Sequence, residues 1–384
     1  MVFLNRNSIE EIRLNLLSWF ALKGRHWIPW KLNENGVLPN DQEHLSIYPI
    51  FVAEVMLQQT QLKVVLPYWE QWMRTFPTLE DLASAELNQV LFLWSGLGYY
   101  SRAKRLHQAS QILLKSIGKN QTLDLSRWPQ DVNTWIRLPG IGRSTAGSIL
   151  SSALNLPTPL LDANVKRILS RLIGSNKPVS KNLSQLWEIS ALLLDKQSPR
   201  NFNQALMDLG ANVCSNSSPK CTSCPLISYC YAYSFGSPVD FPNKERRKKV
   251  QKVCIGIGVI INKVGQVLID KRPDDVSMGG MWEFPGGKQE HDELIENTIF
   301  RELNEELGIK VKVGDMLISF DHSYTHKNLT FVVHFCEILS GNLQPLRSSE
   351  LQWVEIQDLD NYAFPAANKK MINALKQYLK NNEN

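Results

Sequence analysis

Four cysteines in the chain have a spacing that could hold an inorganic centre. The array C-x6-C-x2-C-x5-C is formed by Cys214, Cys221, Cys224 and Cys230. Four thiolates suit either a tetrahedral zinc ion or a four-iron cluster. Zinc ribbons usually pair two C-x2-4-C knuckles across a longer gap, whereas this array has one tight pair and wider gaps. The spacing therefore favours an iron–sulfur centre over zinc.

Three carboxylates later in the chain share one face of a predicted helix. Glu302, Glu305 and Glu306 stand at i, i+3 and i+4 within the segment 293–307. Like charges clustered in this way are destabilising unless a hard cation neutralises them. Oxygen ligands of this kind suit Mg²⁺ or Mn²⁺ bound with a pyrophosphate. The alternative interpretation is a solvated, glutamate-rich helix.

A glycine-containing turn and a following acidic residue form a third group of interest. Leu138, Gly140 and Gly142 belong to the sequence LPGIG, where glycine lets a tight turn present N–H groups at the start of the next helix. Such a helix terminus binds phosphate through hydrogen bonds and the helix dipole. Further along, LDANVKR places Asp162 at the start of another helix, where capping is the ordinary role of an aspartate.

These segments resemble the helix-hairpin-helix base-excision glycosylases over about residues 8–233. LPGIG, LDANVKR and the cysteine array occur in the order of that family. AEVMLQQTQ at 53–61 and WSGLGYYSRA at 94–103 resemble its adenine glycosylase branch, the MutY type. Ser144 follows Arg143 where the endonuclease III branch carries a nucleophilic lysine, so strand cleavage through a Schiff base is disfavoured.

The resemblance implies that two carboxylates divide the chemistry. Glu54 is the acid that protonates N7 of the departing adenine, and burial in an apolar helix interface should raise its pKa. Asp162 is the ionised partner beside the anomeric carbon, and Asn164 holds Asp162 or the water by hydrogen bonding. Cleavage of a glycosidic bond needs both an acid for the leaving group and an anion for the oxocarbenium-like sugar.

The resemblance also implies a set of contacts with double-stranded DNA. Gln59 corresponds to the residue that wedges into the duplex once the target base is flipped out. The residues around the opposite 8-oxoguanine are Thr60, Leu97 and Tyr99. The residues predicted to meet phosphate are the hairpin residues Leu138, Gly140 and Gly142 and the helix residues Lys166 and Arg167. The resemblance implies a 4Fe-4S cluster that does not perform the hydrolysis.

Residues 287–309 fit the complete Nudix pattern G-x5-E-x7-R-E-U-x-E-E-x-G-U, where U is a bulky aliphatic residue. With GMWEFPGGK at 280–288 and FPAAN at 364–368, they resemble MutT-like Nudix hydrolases. The resemblance implies that Asn368 reads the edge of an oxidised guanine. Tyr324, Thr325 and His326 resemble the FSH-type recognition loop of MutY-type enzymes. The domain either recognises 8-oxoguanine in DNA only or also hydrolyses 8-oxo-dGTP.

The function predicted from these features is monofunctional removal of adenine mispaired with 8-oxoguanine or guanine. One alternative is a bifunctional glycosylase and lyase of the endonuclease III type that acts on oxidised pyrimidines. A second alternative is an 8-oxo-dGTP diphosphatase as the main activity. A third is an iron–sulfur DNA-binding protein without catalysis, which would make Glu54 and Asp162 incidental.

Length and composition are those of a multidomain globular protein. The 384 residues allow two or three domains, and a formal charge of +5 permits a polyanionic partner. The first residues lack a signal-peptide pattern, and no apolar run approaches the ~20 residues of a spanning helix. We expect a monomeric, cytoplasmic protein that is nucleoid-associated if the source is bacterial, with no membrane partner.

Apolar periodicity predicts an all-α first part and an α+β second part. The predicted domains are a glycosylase domain at 1–236, a linker at 237–250 and a Nudix domain at 251–384. Ser8 is predicted to cap the first helix, and one helical run is predicted over residues 51–76. Residues 31–47 are longer than the usual connection in the family and are interpreted as a floppy surface loop.

Overall fold

The computed structural model describes residues 5–243, 252–276, 278–324 and 327–382. The chain divides into two compact units, one formed by residues 1–84 with 105–247 and the other by residues 85–104 with 248–384. The predicted domain limits stay a prediction, because the charged segment KERRKK at 244–249 lies outside the described residues.

Helices dominate the described chain up to residue 243. They are α1 (Arg6–Lys23), α2 (Ile47–Met56), α3 (Leu62–Thr75), α4 (Leu79–Ser84), α5 (Leu87–Trp94), α6 (Ser101–Ile117), α7 (Val132–Trp135), α8 (Arg143–Leu154), α9 (Ala163–Ile173), α10 (Leu183–Leu193), α11 (Pro199–Asn212) and α12 (Tyr231–Ser234). Helix α5 and the first turn of α6 belong to the second unit.

Two local predictions for these helices were wrong. Asn5 rather than Ser8 caps α1, because its side chain accepts a hydrogen bond of 2.9 Å from the Ser8 backbone N–H. The run predicted over 51–76 is two helices, since the chain leaves the helical path between α2 and α3. Gln59 in this break has a φ of 60°, in the left-handed region that helices do not use.

The core of the first unit brings together helices that are distant in sequence. Apolar faces of α1, α9, α10 and α11 bury a shared cluster that includes Leu16, Val165, Leu186 and Phe202. Helix α2 packs on α8, and α11 packs on both α8 and α9. This packing places α8, which follows the helical hairpin, against α2.

The second unit contains two small sheets. Their strands are β1 (Lys252–Ile260), β2 (Val267–Lys271), β3 (Trp282–Glu283), β4 (Gly286–Lys288), β5 (Ile309–Tyr324), β6 (Lys327–Gly341) and β7 (Glu350–Val354). One sheet has the order β4-β1-β6-β5, with β1 and β6 parallel, and the other has the order β3-β2-β7. Helices α13 (Ile295–Leu307) and α14 (Ala366–Asn382) accompany them.

Glycines in β1 set the distance between the sheet and α13. A Cβ at Gly256 would meet Ile299 Cγ1 at 2.8 Å, and one at Gly258 would meet a methyl of Leu303 at 2.9 Å. The helix that carries the predicted carboxylates can therefore lie directly on the strand. No helix in the described ranges is long and apolar enough to cross a membrane.

Candidate active site

Glu54 is the polar residue near the C-terminal end of an otherwise apolar helix. Eight of the ten residues of α2 are buried, whereas Glu54 keeps partial exposure. The pKa of the Glu54 carboxyl group is raised to about 7, and burial is the largest cause. Asp162 also raises this pKa, whereas Ser148 and Lys31 lower it. A carboxyl group with this pKa is protonated in part at neutral pH and can donate a proton.

Asp162 caps α9 and also faces the same region. Its Oδ1 accepts a hydrogen bond of 2.7 Å from the Val165 backbone N–H, and its Oδ2 accepts one of 3.3 Å from Asn164 Nδ2. Burial raises the pKa of Asp162, while these hydrogen bonds favour the ionised form. The capping role predicted as ordinary for this aspartate is therefore present, and its carboxylate still acts electrostatically on Glu54.

Asn164 is oriented by an arginine one turn along the helix. Arg167 Nη2 donates to Asn164 Oδ1 at 2.9 Å and to the Gly210 carbonyl at 2.7 Å, while its Nε donates to the Cys214 carbonyl at 2.8 Å. The guanidinium thus connects Asn164 to the start of the cysteine loop. The predicted phosphate contacts of Arg167 and of the half-buried Lys166 stay predictions.

Gly210 makes room for Asn164. A Cβ at Gly210 would lie 2.5 Å from Asn164 Cβ, closer than two carbon atoms can approach without a shift. Glycine in the middle of a helix lowers stability by ~0.5–1 kcal/mol relative to alanine. The close approach of α9 to α11 explains why glycine nevertheless occupies this position.

The helical hairpin is tied to the segment that follows α2. Gln58 Nε2 donates to the Gly140 carbonyl at 3.1 Å and to Thr145 Oγ1 at 3.2 Å. Gly140 has a φ of 79°, and Gly142 is the exposed N-cap of α8. Ser144 Oγ accepts a hydrogen bond of 3.1 Å from the Leu161 backbone N–H, which joins the hairpin to the segment of Asp162.

The predicted base-contacting residues occupy unusual backbone positions. Gln59 is exposed, and Tyr99 has a φ of 50° with 36% of its surface exposed. Thr60 is half-buried and follows Gln59, whereas Leu97 is buried. Left-handed backbone at residues other than glycine is uncommon and is often retained at functional sites.

The four cysteines of the array line one cavity. The walls of this cavity also include Arg171, Pro219, Ile227 and Tyr233. Arg171 Nη1 lies 3.3 Å from Cys214 Sγ and donates to the Ser215 carbonyl at 2.6 Å. Burial raises the pKa of the Cys224 thiol to about 12, and it also raises the pKa of Cys221 and Cys230. Ionised thiols there need a cationic centre, and four thiols that line one cavity are the donor set of an iron–sulfur cluster.

The Nudix carboxylates lie on α13 beside a loop of two glycines. Glu306 Oε2 accepts a hydrogen bond of 3.2 Å from the Gly286 backbone N–H. A Cβ at Gly287 would meet the Glu302 carboxyl group at 2.2 Å, so only glycine allows this approach. Glu302 is buried, and Glu305 and Glu306 are half-buried.

Arginines hold the other members of this cluster. Arg301 donates to Glu293 at 2.9 Å and 3.0 Å and to Glu302 at 2.9 Å. Arg347 lies 3.0 Å from Glu305 Oε2. Hydrogen bonds from Arg301 and Thr298 lower the pKa of Glu293 to about 2.

Glu306 is the member of the cluster whose carboxyl group is disfavoured from ionising. Burial raises its pKa to about 8, and the nearby Asp270 and Glu283 raise it as well. Asp270 and Glu283 face each other across β2 and β3. Within the described residues, neither these carboxylates nor the four cysteines are placed so that three or more of them could hold a metal ion as they stand. A cation at the Nudix helix therefore stays a proposal.

The predicted 8-oxoguanine contacts of the second unit are placed only in part. Asn368 is buried, and its Oδ1 accepts a hydrogen bond of 3.4 Å from the Phe284 backbone N–H. Tyr324 is half-buried at the end of β5, and burial raises its pKa to about 12. Thr325 and His326 lie outside the described residues. Tyr100, from the GLGYY segment, donates its hydroxyl to the Phe364 carbonyl at 3.2 Å.

The loop at 31–47 is not floppy, contrary to the prediction. Most of its residues from 33 to 44 are exposed, but the buried Arg200 holds its backbone. Arg200 Nη1 donates to the Asn40 carbonyl at 3.0 Å, and Nη2 donates to the Glu43 carbonyl at 2.6 Å. The loop also begins with a buried lysine, Lys31, which pairs with Asp208.

Sequence reasoning did not single out Gln58, Lys31, Asp208, Arg200 or Gly210. Gln58 lies inside the matched LQQT segment, so its position next to Gln59 was the one available signal. The other four act through partners that are distant in sequence.

Two family models match the chain. Residues 52–190 match a HhH-GPD superfamily base excision DNA repair protein, and residues 256–374 match a NUDIX domain. Residues 85–104, which belong to the second compact unit, fall inside the first match. The prediction of a helical glycosylase region followed by a Nudix domain is confirmed.

Curated relatives extend over most of the chain. The adenine DNA glycosylase of Buchnera aphidicola subsp. Acyrthosiphon pisum is 33% identical over 329 residues, covering 84% of this chain and 85% of the relative. The human adenine DNA glycosylase is 30% identical over 413 residues, covering 95% of this chain and 74% of the relative. A solved thermostable thymine-DNA glycosylase is 21% identical, has a TM-score of 0.48 and covers 59% of this chain and 98% of its own.

The resemblance of the sequence to the adenine branch is thereby confirmed by relatives that span both halves. On this basis the chain belongs to the adenine DNA glycosylases, base-excision repair enzymes with a HhH-GPD region and a C-terminal Nudix domain.

Proposed function

We propose that the chain removes adenine opposite 8-oxoguanine or guanine in double-stranded DNA by acid-assisted hydrolysis of a flipped nucleotide. The observation that carries this proposal is the pair of unlike carboxyl groups in the first unit. Burial raises the pKa of Glu54 to about 7. Burial also raises the pKa of Asp162, but hydrogen bonds from Val165 and Asn164 oppose that shift and favour its ionised form. An acid and an anion held apart by their surroundings are what N-glycosidic cleavage requires.

Each residue of the site has a defined task in this proposal. Glu54 protonates the departing adenine at N7 and afterwards helps to position water. Asp162 stabilises the positive charge that develops on the sugar, as an electrostatic partner or a transient nucleophile. Asn164, fixed by Arg167, holds Asp162 or the water in place. Ser144 has no amine with which to form a Schiff base, so the reaction ends at the abasic site.

In this proposal, residues from both units of the chain take part in recognising the lesion. Gln59 enters the duplex, while Thr60, Leu97 and Tyr99 surround the opposite 8-oxoguanine. The compact unit that contains Leu97 and Tyr99 also contains Tyr324 and Asn368, which supports a shared role in reading the lesion. The hairpin N–H groups bind phosphate, so affinity for DNA should fall steeply with salt.

The cysteine array holds a 4Fe-4S cluster in this proposal. Cys214, Cys221, Cys224 and Cys230 are its ligands in this proposal, which is supported by the one cavity that all four line. The cluster would cross-link the loop through its four thiolate ligands. Arg171 and the loop backbone then present positive and hydrogen-bonding groups around it.

The proposal is tested by single-turnover cleavage of a duplex with adenine opposite 8-oxoguanine. Alkali added after incubation reveals abasic sites on the adenine strand. We expect Glu54→Gln to lose about 10²–10⁴-fold in rate, the contribution of a general acid. Glu70→Gln, an exposed residue of α3, is the matched control and should keep the wild-type rate.

Two outcomes would contradict the proposal. Adenine release by Glu54→Gln at the wild-type rate would remove Glu54 from the chemistry. Strand cleavage without alkali, together with a borohydride-trapped adduct, would instead support the bifunctional endonuclease III-like alternative.

We propose hydrolysis of 8-oxo-dGTP as a second activity, carried by the complete set of Nudix carboxylates. Glu302, Glu305 and Glu306 would hold Mg²⁺ or Mn²⁺, and the cation would position the triphosphate. Gly286 and Gly287 let two of these groups lie against the backbone, which favours a retained site. Asn368 would contact the oxidised base.

This second activity is measured as Mg²⁺-dependent release of pyrophosphate from 8-oxo-dGTP. Glu305→Gln should abolish the release, while Glu296→Gln, exposed in the first turn of the same helix, should not. Wild-type turnover no higher than that of Glu305→Gln would leave the domain as a recognition module.

A further inference from the structure

Lys31 is a buried cation beside the glycosylase site. It ends the short 3-10 turn Pro29–Lys31, and its side chain is only 6% exposed. The turn packs against α2, the helix that carries Glu54. Burial lowers the pKa of Lys31 to about 8, and Asp208 opposes this shift, so the ammonium is largely charged at pH 7.

Asp208 fixes this ammonium. It lies on α11 with its side chain fully buried, and both of its oxygens are 3.2 Å from Lys31 Nζ. The same carboxylate accepts a hydrogen bond of 2.7 Å from Arg25 Nε and one of 2.6 Å from the Arg25 backbone N–H. One buried carboxylate therefore holds two cations, which leaves a net positive charge in this part of the unit.

The groups that act on Glu54 come from three elements, and a fourth element supports one of them. Ser148 on α8 and Asp162 at the start of α9 act from one group of helices, and Lys31 acts from the turn, backed by Asp208 on α11. Lys31 is the one cation among the groups that shift the Glu54 carboxyl in the described structure. A buried charge has a strong effect because water screens it little.

We propose that Lys31, held by Asp208, is a positioning residue of the glycosylase site whose buried positive charge sets the upper end of the pH range in which Glu54 donates its proton. This inference rests on the proposed role of Glu54. Lys31 needs no contact with the reacting atoms for this effect, since it acts through the field that it places on the Glu54 carboxyl group.

The direction of the effect follows from the charge. The rate of adenine release should fall as pH rises through the pKa of Glu54, because the acid loses its proton. Removing the positive charge of Lys31 raises that pKa, so the falling limb moves to higher pH. We expect a shift of about 1 pH unit, the lower end of what a neighbouring opposite charge does to a carboxyl group. The limb at low pH depends on Asp162 and should stay in place.

The experiment measures single-turnover adenine release from pH 5 to 9.5 with enzyme saturating over the mismatched duplex. Lys31→Gln removes the charge but keeps a hydrogen-bond donor for Asp208, and Lys31→Arg keeps the charge. We expect the falling limb to move up in Lys31→Gln and to return near its wild-type position in Lys31→Arg. Lys63→Gln, exposed on α3, is the matched control and should give the wild-type profile.

Separate results overturn the inference and the assignment on which it rests. If the falling limb of the pH profile does not move in folded Lys31→Gln, while Glu54→Gln is inactive, Lys31 is a purely structural residue. A falling limb that persists in an active Glu54→Gln variant would instead remove Glu54 as the acid. If Lys31→Gln does not fold, Lys31→Met serves as the neutral variant, since Asp208 keeps Arg25 as its partner. The inference would also be overturned if the falling limb moved as far in Lys31→Arg as in the neutral variant.

Discussion

The two carboxylate sites of this chain control their protons in different ways. In the helical unit, Glu54 and Asp162 come from separate helices, and burial is the largest influence on each. In the Nudix unit, Glu302, Glu305 and Glu306 come from one helix, and Glu306 is repelled by Asp270, Glu283 and Glu302. In our proposals the first site transfers a proton without a metal, whereas the second requires a cation.

The difference follows from the number of charges that each site must tolerate. Near Glu54, the cation Lys31 and the hydrogen bonds to Asp162 leave one carboxyl group able to keep a proton. Near Glu306, the pair Asp270 and Glu283 adds negative charge that Arg272 offsets only in part. A divalent cation is the natural way to neutralise such a cluster.

After Glu54→Gln, the largest effect on adenine release is expected from Asp162→Asn. The amide can still cap α9, so the helix should form, but the negative charge beside the sugar is lost. We expect adenine release to fall about 10²–10³-fold, as it does when one electrostatic stabiliser is removed from an active site. The measurement is single-turnover cleavage of the mismatched duplex.

The comparison requires that a change at one site leaves the other site unaffected. Asp162→Asn should leave Mg²⁺ binding unchanged, and Glu305→Gln should leave adenine release unchanged. Loss of both properties in either variant would mean that the two sites do not work independently.

Gly210→Ala should have the next largest effect. The added methyl would sit 2.5 Å from Asn164 Cβ and push that residue away from Asp162. We expect adenine release to fall about 10- to 100-fold, because misplacement by ~1 Å can cost ~10²-fold in rate. Ala211→Ser, exposed on the same helix, is the control. A wild-type rate in Gly210→Ala would show that the approach of α9 to α11 is not needed for the chemistry.

The two sites should also differ in how pH affects the binding of a cation. The pKa of Glu306 is raised to about 8, above its ordinary value, so metal-free folded protein binds a proton that the unfolded chain releases. Metal-free stability should therefore decline as pH rises from about 4.5 to 8. Affinity for Mg²⁺ should rise over pH 6 to 8, by up to ~tenfold per unit, because the metal displaces that proton.

Calorimetric titration with Mg²⁺ at several pH values measures this dependence. Adenine release should show no comparable requirement for Mg²⁺, since the proton of Glu54 is controlled without a metal. An Mg²⁺ affinity that is flat between pH 6 and 8 would contradict the account of Glu306.

The smallest effect on chemistry is expected from Arg200→Met. The variant leaves the carbonyls of Asn40, Glu43 and Ser152 without this donor. We expect a loss of about 1.5–3 kcal/mol in stability, the scale of a hydrogen bond to a charged group, with little change in adenine release per folded molecule. Denaturant titration measures the first quantity, and limited proteolysis within 33–44 should become faster. Proteolysis at the wild-type rate would show that Arg200 does not anchor the loop.

The sequence by itself determined the features that depend on short spacing. The array of four cysteines, the carboxylates at i, i+3 and i+4 of α13 and the capping aspartate of α9 could each be recognised because their members are neighbours in the chain. The order of these motifs then indicated the family. The break between α2 and α3 was missed, since the apolar pattern continues across the left-handed Gln59.

Only the tertiary structure decided how the sites are tuned. Lys31 and Asp208 are 177 residues apart, and no local pattern marks them as partners. Gly210 looks like an unfavourable helix residue until α9 lies against it, and the loop at 31–47 looks unrestrained until Arg200 reaches its carbonyls. Burial and charge act through space, so the pKa of Glu54 depends on which distant segments the fold packs around it.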